Sequence, residues 1–191
     1  MGYCFETLSS TVEIMVRAMI SLIVLLTLVY FLWQGLENDP YRLPSPLINK
    51  PFPEFAALDL QKNHSILRKK IFLNQWTLLM VWSSWCLTCV QEQSLLLNLK
   101  KKNAISIYGL NYRDELKQAK QWLKHYGNPF QKIIFDPEGT LAIDLGAYGV
   151  PESYLIDPNG IIRYKHIGPL NAAIWIEKLQ PFLKHRKHRF M

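Results

Sequence analysis

Two cysteines three residues apart, in Trp82-Ser83-Ser84-Trp85-Cys86-Leu87-Thr88-Cys89, are the residues of this chain with the most pointed chemistry. They follow an apolar run of strand length and precede a segment with helical spacing, which places Cys86 at the mouth of a helix. There, unpaired backbone N–H groups and the helix dipole favour a thiolate. Cys89 lies one turn further in, close enough to close a small disulfide yet shielded. The pattern assigns Cys86 as the attacking nucleophile and Cys89 as the resolving thiol of dithiol–disulfide exchange. The competing chemistry is half of a zinc site, which wants two more Cys or His ligands, typically as a second close pair. The third cysteine, Cys4, lies beyond a long apolar segment, and the histidines at 64, 125, 166, 185 and 188 supply no such pair near the dithiol. No metal is expected, and no cofactor beyond the redox-active Cys86–Cys89 disulfide.

The elements around this motif alternate. Phe55–Leu60 reads as a first strand, and Asn74–Trp82 as a central strand buried on both faces. Leu87–Lys102 has helical spacing, apolar at Val90, Leu95, Leu96 and Leu99, and ends on three lysines that suit the C-terminal end of the dipole. Ala104–Tyr112 is the next strand, Arg113–Tyr126 a helix stopped by Gly127-Asn128-Pro129, and Lys132–Phe135 a short strand. Ser153–Asp157 and Ile161–His166 bracket an Asn-Gly turn, a hairpin signal. Leu170–Lys184 is a last amphipathic helix. The order predicts an α/β domain, a mixed sheet with helices on both faces.

Composition divides the chain in two. Its 191 residues carry a net charge of +7, with 49% hydrophobic and 19% charged residues, which excludes a disordered chain. Three cysteines are too few for a disulfide-stapled scaffold. Residues 1–41 hold one basic side chain, Arg17, against Glu6, Glu13, Glu37 and Asp39, for −3; the remaining 21 Lys/Arg against 11 Asp/Glu give +10. From Ala18 to Leu36, nineteen residues pass without a charge, enough helix to span roughly 28 Å, close to a bilayer's hydrocarbon thickness. Tyr30 and Trp33 lie near the far end, where aromatic rings favour the interface. The rival reading, a cleaved signal peptide, requires a shorter apolar stretch and a small-x-small site, where this chain has Gln34-Gly35-Leu36-Glu37. The expected organisation is a short N-terminus (1–17), a transmembrane anchor (18–36), a Pro-rich tether (37–53), a globular domain (54–184) and a basic tail (185–191). Arg17 and the α-amine are offset by Glu6 and Glu13, so charge alone leaves the orientation open.

Strand, Trp-Cys-x-x-Cys and helix together resemble the thioredoxin fold. More narrowly the chain resembles the membrane-anchored thioredoxin-like proteins of cytochrome c maturation, the CcmG/DsbE family. Three further segments carry the likeness. Gly109-Leu110-Asn111-Tyr112-Arg113-Asp114 is similar to the family's GxNYK/RD, and Gly146-Ala147-Tyr148-Gly149-Val150-Pro151-Glu152 to its GVYGxPE. The hairpin from Leu155 to Tyr164, with His166 and Gly168, completes the set, and Glu92 matches WCxxCxxE. The likeness covers about residues 50–180.

This resemblance implies a cis Val150–Pro151 bond beside the dithiol, leaving backbone groups free to pair with an extended substrate chain; the lesser alternative is an ordinary turn proline after Gly149. It implies that Glu92 and Glu152 surround the active site, Glu92 exchanging protons with Cys89. On residues alone Glu92 is a solvated helix-surface carboxylate. Trp85 is read as shielding the disulfide and, with Val150, Pro151 and Glu152, shaping the docking face. One departure matters: the position six before the first cysteine, a buried Asp in thioredoxin, is Met80, which moves the proton role toward Glu92. The leading expectation is a thiol–disulfide oxidoreductase that reduces apocytochrome c, or a mixed disulfide of a cytochrome c maturation protein, before haem attachment. A membrane-embedded thiol reductase would recharge it. The resemblance further implies a bacterial inner-membrane protein, single-pass, with its C-terminal domain in the periplasm and Cys4 a cytoplasmic bystander. Its partners are then those proteins and lipid, with no nucleic acid. The alternatives are a general tethered disulfide reductase, or a non-enzymatic assembly module that uses only the peptide groove; a thiol peroxidase is disfavoured because its nucleophile usually lacks a partner at CxxC spacing.

Overall fold

The computed structural model describes residues 3–36, 47–62 and 65–184. The chain falls into two compact units, Met1–Leu43 and Pro44–Met191. In the first, the uncharged run lies within one helix, α1 (Tyr3–Leu36). Its segment Glu13–Gly35 is long and apolar enough to cross a membrane, and none of that stretch is buried against protein. An apolar helix exposed on every side is what a bilayer, not a protein core, would cover. Most of the expected tether and the whole basic tail lie outside the described residues, as does His64.

The second unit is built on a seven-stranded sheet. Its strands are β1 (Ala56–Asp59), β2 (Ile66–Arg68), β3 (Thr77–Trp82), β4 (Ser106–Tyr112), β5 (Lys132–Asp136), β6 (Glu152–Ile156) and β7 (Ile162–Ile167), in the spatial order β2-β1-β5-β4-β3-β6-β7. β3, β4 and β5 are parallel, as their helical crossovers require, and the remaining pairings are antiparallel. The run Thr77–Trp82 is buried at all six positions, because the sheet is covered on both sides. One side carries α2 (Cys89–Lys101), α3 (Leu116–Tyr126) and the C-terminal helix, packed on Leu78, Met80, Trp82, Ile107, Ile133 and Leu155. The other carries α4 (Thr140–Asp144) and a 3₁₀ turn at Lys69–Phe72, packed on Leu79, Val81, Tyr108, Leu110 and Tyr154. The C-terminal helix runs through α5 (Ala172–Ile174), a π-turn at Trp175–Leu179 and α6 (Gln180–Lys184). Fold class and mixed sheet follow the expectation.

One domain boundary differs. The expected tether reached residue 53, but its last part belongs to the domain. Phe52 is 1% exposed with its ring centroid 4.4 Å from that of Phe72, and Asn49 and Phe52 N–H groups donate to Ile162 O and Gly160 O, both at 2.8 Å. The flanking prolines concealed an aromatic anchor. The sequence also carried no clear signal for β2, the 3₁₀ turn or α4, each at most five residues long. At the sheet centre, a Cβ on Gly109 would fall 2.7 Å from Trp82 Nε1. Only glycine lets β4 lie against that indole, which stacks on Phe130 at 5.5 Å and tilts against Trp122 at 4.8 Å.

Candidate active site

β3 ends at Trp82, and the chain turns through residues 83–88 before α2 starts at Cys89. The helix was expected from Leu87 and starts two residues later, so Cys86 lies three residues ahead of it and not immediately before it. Its sulfur still faces the helix N-terminus, because the Cys89 N–H donates to Cys86 Sγ at 3.1 Å. Thr88 Oγ1 lies 3.5 Å from the same sulfur. The two cysteines are joined by a disulfide with an S–S distance of 2.02 Å. Both are buried, Cys86 to 4% exposure and Cys89 to 1%, so the difference in access is smaller than expected. Around them Leu87 is 87% exposed and Trp85 56%.

The active-site loop is strapped to the end of β4. Ser83 Oγ–H donates to Tyr112 O, and Trp85 Nε1–H to Arg113 O at 2.9 Å. Ser84 donates through both its N–H and its Oγ–H to the Asp114 carboxylate, each at 2.6 Å. Asn111 Nδ2 and the Glu115 N–H also donate to Asp114, at 2.8 Å each. Arg113 lies at φ 44, a left-handed conformation that costs a non-glycine residue about 1–2 kcal/mol. That turn brings Asp114 back toward the loop. The segment Gly109–Asp114 was singled out by resemblance; its work as a brace, and Asp114 as the centre of that work, was not. The signal was an Asn and an Asp three apart at a strand end, where short polar side chains close turns.

Glu92 is not on the helix surface. It is 1% exposed on the stripe of α2 that buries Cys89, Gln93, Leu96 and Leu99. A residue three positions past Cys89 shares its helix face. Its Oε2 accepts the Leu170 N–H at 2.9 Å. Burial pushes the carboxyl up from 4.5 to about 8, against a smaller downward pull from the Leu170 bond. At neutral pH it is mostly protonated, a donor and not a charge. Met80, where thioredoxin has its acid, is fully buried among apolar side chains.

Val150–Pro151 is cis, and it lies at the end of the sheet that carries the dithiol. The register shows why: Val81 pairs with Glu152, so Pro151 lies level with Trp82 at the exit from β3. Val150 is half-buried and packs on both faces of the core, including the cluster that holds Cys86 and Cys89. Pro151 is buried. Glu152 was expected on the docking face, and the structure moves it inside. It is fully buried, it receives the Tyr148 and Gly149 N–H groups at 2.7 and 3.3 Å and the Tyr154 hydroxyl at 2.8 Å, and it pairs with Lys165 at 3.0 Å. The loop before β6 needs an acceptor for the N–H groups of Tyr148 and Gly149, and Glu152 supplies it. Burial first, and the Glu152 charge second, push the Tyr154 hydroxyl up, so it serves as a neutral donor. A groove lined by Trp85, Arg113, Glu115, Trp122, His125 and Glu138 opens beside the brace.

Comparison with known proteins agrees with this chemistry. The sequence profile of the AhpC/TSA family matches residues 48–165. A thiol:disulfide interchange protein DsbE of Allochromatium vinosum is 39% identical over 167 residues, covering 87% of this chain and 92% of that protein. The DsbE of Vibrio cholerae is 44% identical over 144 residues, covering 75% and 78%. Among solved structures, a DsbF homologue from Corynebacterium diphtheriae superposes with a TM-score of 0.62 at 19% identity, over 75% of this chain and 96% of that one, a likeness of fold.

Proposed function

The chain belongs to the AhpC/TSA family and to the DsbE-type thiol:disulfide interchange proteins; it is a thiol–disulfide oxidoreductase, and we propose that it reduces disulfides for covalent haem attachment to apocytochrome c. The client is apocytochrome c itself or a mixed disulfide on a cytochrome c maturation protein. In this reading α1 is a retained anchor in a bacterial inner membrane, the C-terminal domain faces the periplasm, and a membrane thiol reductase re-reduces the dithiol. What supports it is a coincidence of position. The two segments that resemble the haem-pathway family, Gly109–Asp114 and Gly146–Glu152, are the ones that brace and flank the disulfide.

The chemistry uses this chain's own groups. Cys86 thiolate, facing the N–H of Cys89, attacks one sulfur of the client disulfide and expels the other as a thiolate. Cys89 then attacks Cys86 Sγ, releases the client's second thiolate and closes the Cys86–Cys89 disulfide, so two electrons pass to the client. Cys89 must lose a proton for that attack, and a departing thiolate must gain one. Glu92, one turn along α2, is the group for the transfer: protonated near pH 7, it donates, and as carboxylate it accepts. Trp85 and Leu87 form the exposed apolar rim on which the client rests, while Val150 offers it a backbone edge.

Cys86→Ser is expected to abolish covalent haem attachment, with partial restoration by added thiol reductant. Cys89→Ser should trap the client on Cys86. Vigorous reduction of insulin by the protein, with normal cytochrome c in a deletion strain, would replace this reading with a general tethered reductase.

A further inference from the structure

Lys165 stands on β7 opposite Tyr154 of β6, on the sheet face away from the dithiol. Its side chain is 4% exposed, and lysine is seldom buried without a partner. The ammonium has three donors, and besides the more distant Tyr154 ring, centroid at 5.5 Å, three groups lie close to it. Glu152 Oε2 lies 3.0 Å away, Gly146 O accepts at 2.8 Å, and the ring of Tyr148 has its centroid at 4.3 Å. Glu152 in turn accepts the Tyr148 and Gly149 N–H groups. The pair therefore holds three backbone groups of the five-residue loop 146–150 that leads into the cis peptide.

Other bonds hold only the ends of this loop. Gly146 and Ala147 N–H groups donate back to Ile143 and Ala142 carbonyls of α4, and the Gly168 N–H closes on Pro151 O beyond the cis bond. The middle, Tyr148-Gly149, has its N–H groups on Glu152 alone among the bonds described. Gly146 enters the loop at φ 62, which adds to the need for an external hold. Two apolar side chains of similar volume would stabilise such a site as well as an ion pair does, but they could not seat two N–H groups and a carbonyl.

We propose that Lys165 is a positioning residue for disulfide exchange: through Glu152 and Gly146 it sets the backbone of Tyr148–Val150 in the conformation that pairs with the client chain beside Cys86. The proposal rests on the reading that the client pairs with the Val150 backbone. Tyr148, 61% exposed, is the cover of this device, its ring capping the ammonium.

The test uses the full chain, reduced, in detergent, with a synthetic peptide closed by an intramolecular disulfide, and single-turnover oxidation followed against peptide concentration. Lys165→Met should raise the half-saturation concentration at least tenfold, lower the saturated rate less than twofold, and leave the pH profile of Cys86 alkylation in place. Lys165→Arg should restore most of the affinity. If Lys165→Met does not fold, Glu152→Gln combined with Lys165→Met, which leaves no unpaired charge, should show the same rise. An unchanged half-saturation concentration in a folded variant overturns the proposal, as does an equal loss in the saturated rate. The same peptide methylated on its backbone nitrogens separates the premise from the inference. If the native protein binds it as well as the parent peptide, client pairing is wrong and the proposal falls with it. If methylation weakens binding and Lys165→Met does not, Lys165 alone is wrong.

Discussion

Two glutamates, equally hidden from water, are put to opposite uses on the two sides of one sheet. Glu92 reaches its site on α2 with one hydrogen-bond donor and no cation among the described residues, and burial pushes it up to about 8. Glu152 has two backbone N–H groups, a tyrosine hydroxyl and a lysine. A carboxylate that is desolvated but poorly compensated takes up a proton and can return it; one surrounded by donors holds in place whatever donates to it. The residue type is the same and the exposure the same, so the number of donors separates a carboxyl pushed toward its protonated form from one that serves as a scaffold.

The contrast breaks most visibly on stability. Glu152→Ala strands the Lys165 ammonium and two loop N–H groups, and should cost about 3–5 kcal/mol in chemical denaturation. A loss near zero would mean the pair holds nothing. Glu92 should act in the opposite sense and only at higher pH. Its folded value lies above its unfolded one, so its contribution is complete below about pH 4.5 and is lost as pH rises through about 8. Glu92→Gln should flatten that slope and leave the variant more stable than the native protein at pH 8.5, by on the order of 1–3 kcal/mol. Parallel stability curves for the two proteins would place Glu92 in water. In exchange kinetics, the same variant should slow the reaction about tenfold or more at neutral pH and erase the inflection near 8. Glu152→Gln, if it folds, should keep that inflection. Smallest of all, Trp85→Ala removes the indole donor to Arg113 O and some exposed apolar rim, and should change stability by about 1 kcal/mol or less while weakening client binding.

What could be read beforehand followed from local pattern. The unbroken apolar run of β3, the CxxC at its exit, the Asn-Gly hairpin and the uncharged N-terminal stretch each carry their meaning within a dozen residues. Glu92 was readable too, had helical phase outweighed residue type: positions 89, 92, 96 and 99 form one stripe, and three of its members are Cys or Leu. Its donor was not, because Leu170 lies 78 residues away. Lys165 and Glu152 meet only once β6 and β7 are paired in register, and neither spacing nor type distinguishes Lys165 from the chain's other lysines. Phe52 was hidden by the prolines on either side, which suggest extended chain whether or not the residue between them is anchored.

Under the proposed function, Cys86, Cys89 and Glu92 fall within seven consecutive residues, with the exposed Trp85 and Leu87 among and beside them, whereas the brace and the loop before the cis bond are held from β4, β6 and β7. On that reading the exchange chemistry is local in sequence, and the backbone that seats a client is not. A graft of residues 86–92 into another thioredoxin-like domain would carry the dithiol and its proton source, provided the host offers one backbone N–H where Leu170 stands here. Such a chimera would exchange disulfides with whatever its new surface admits.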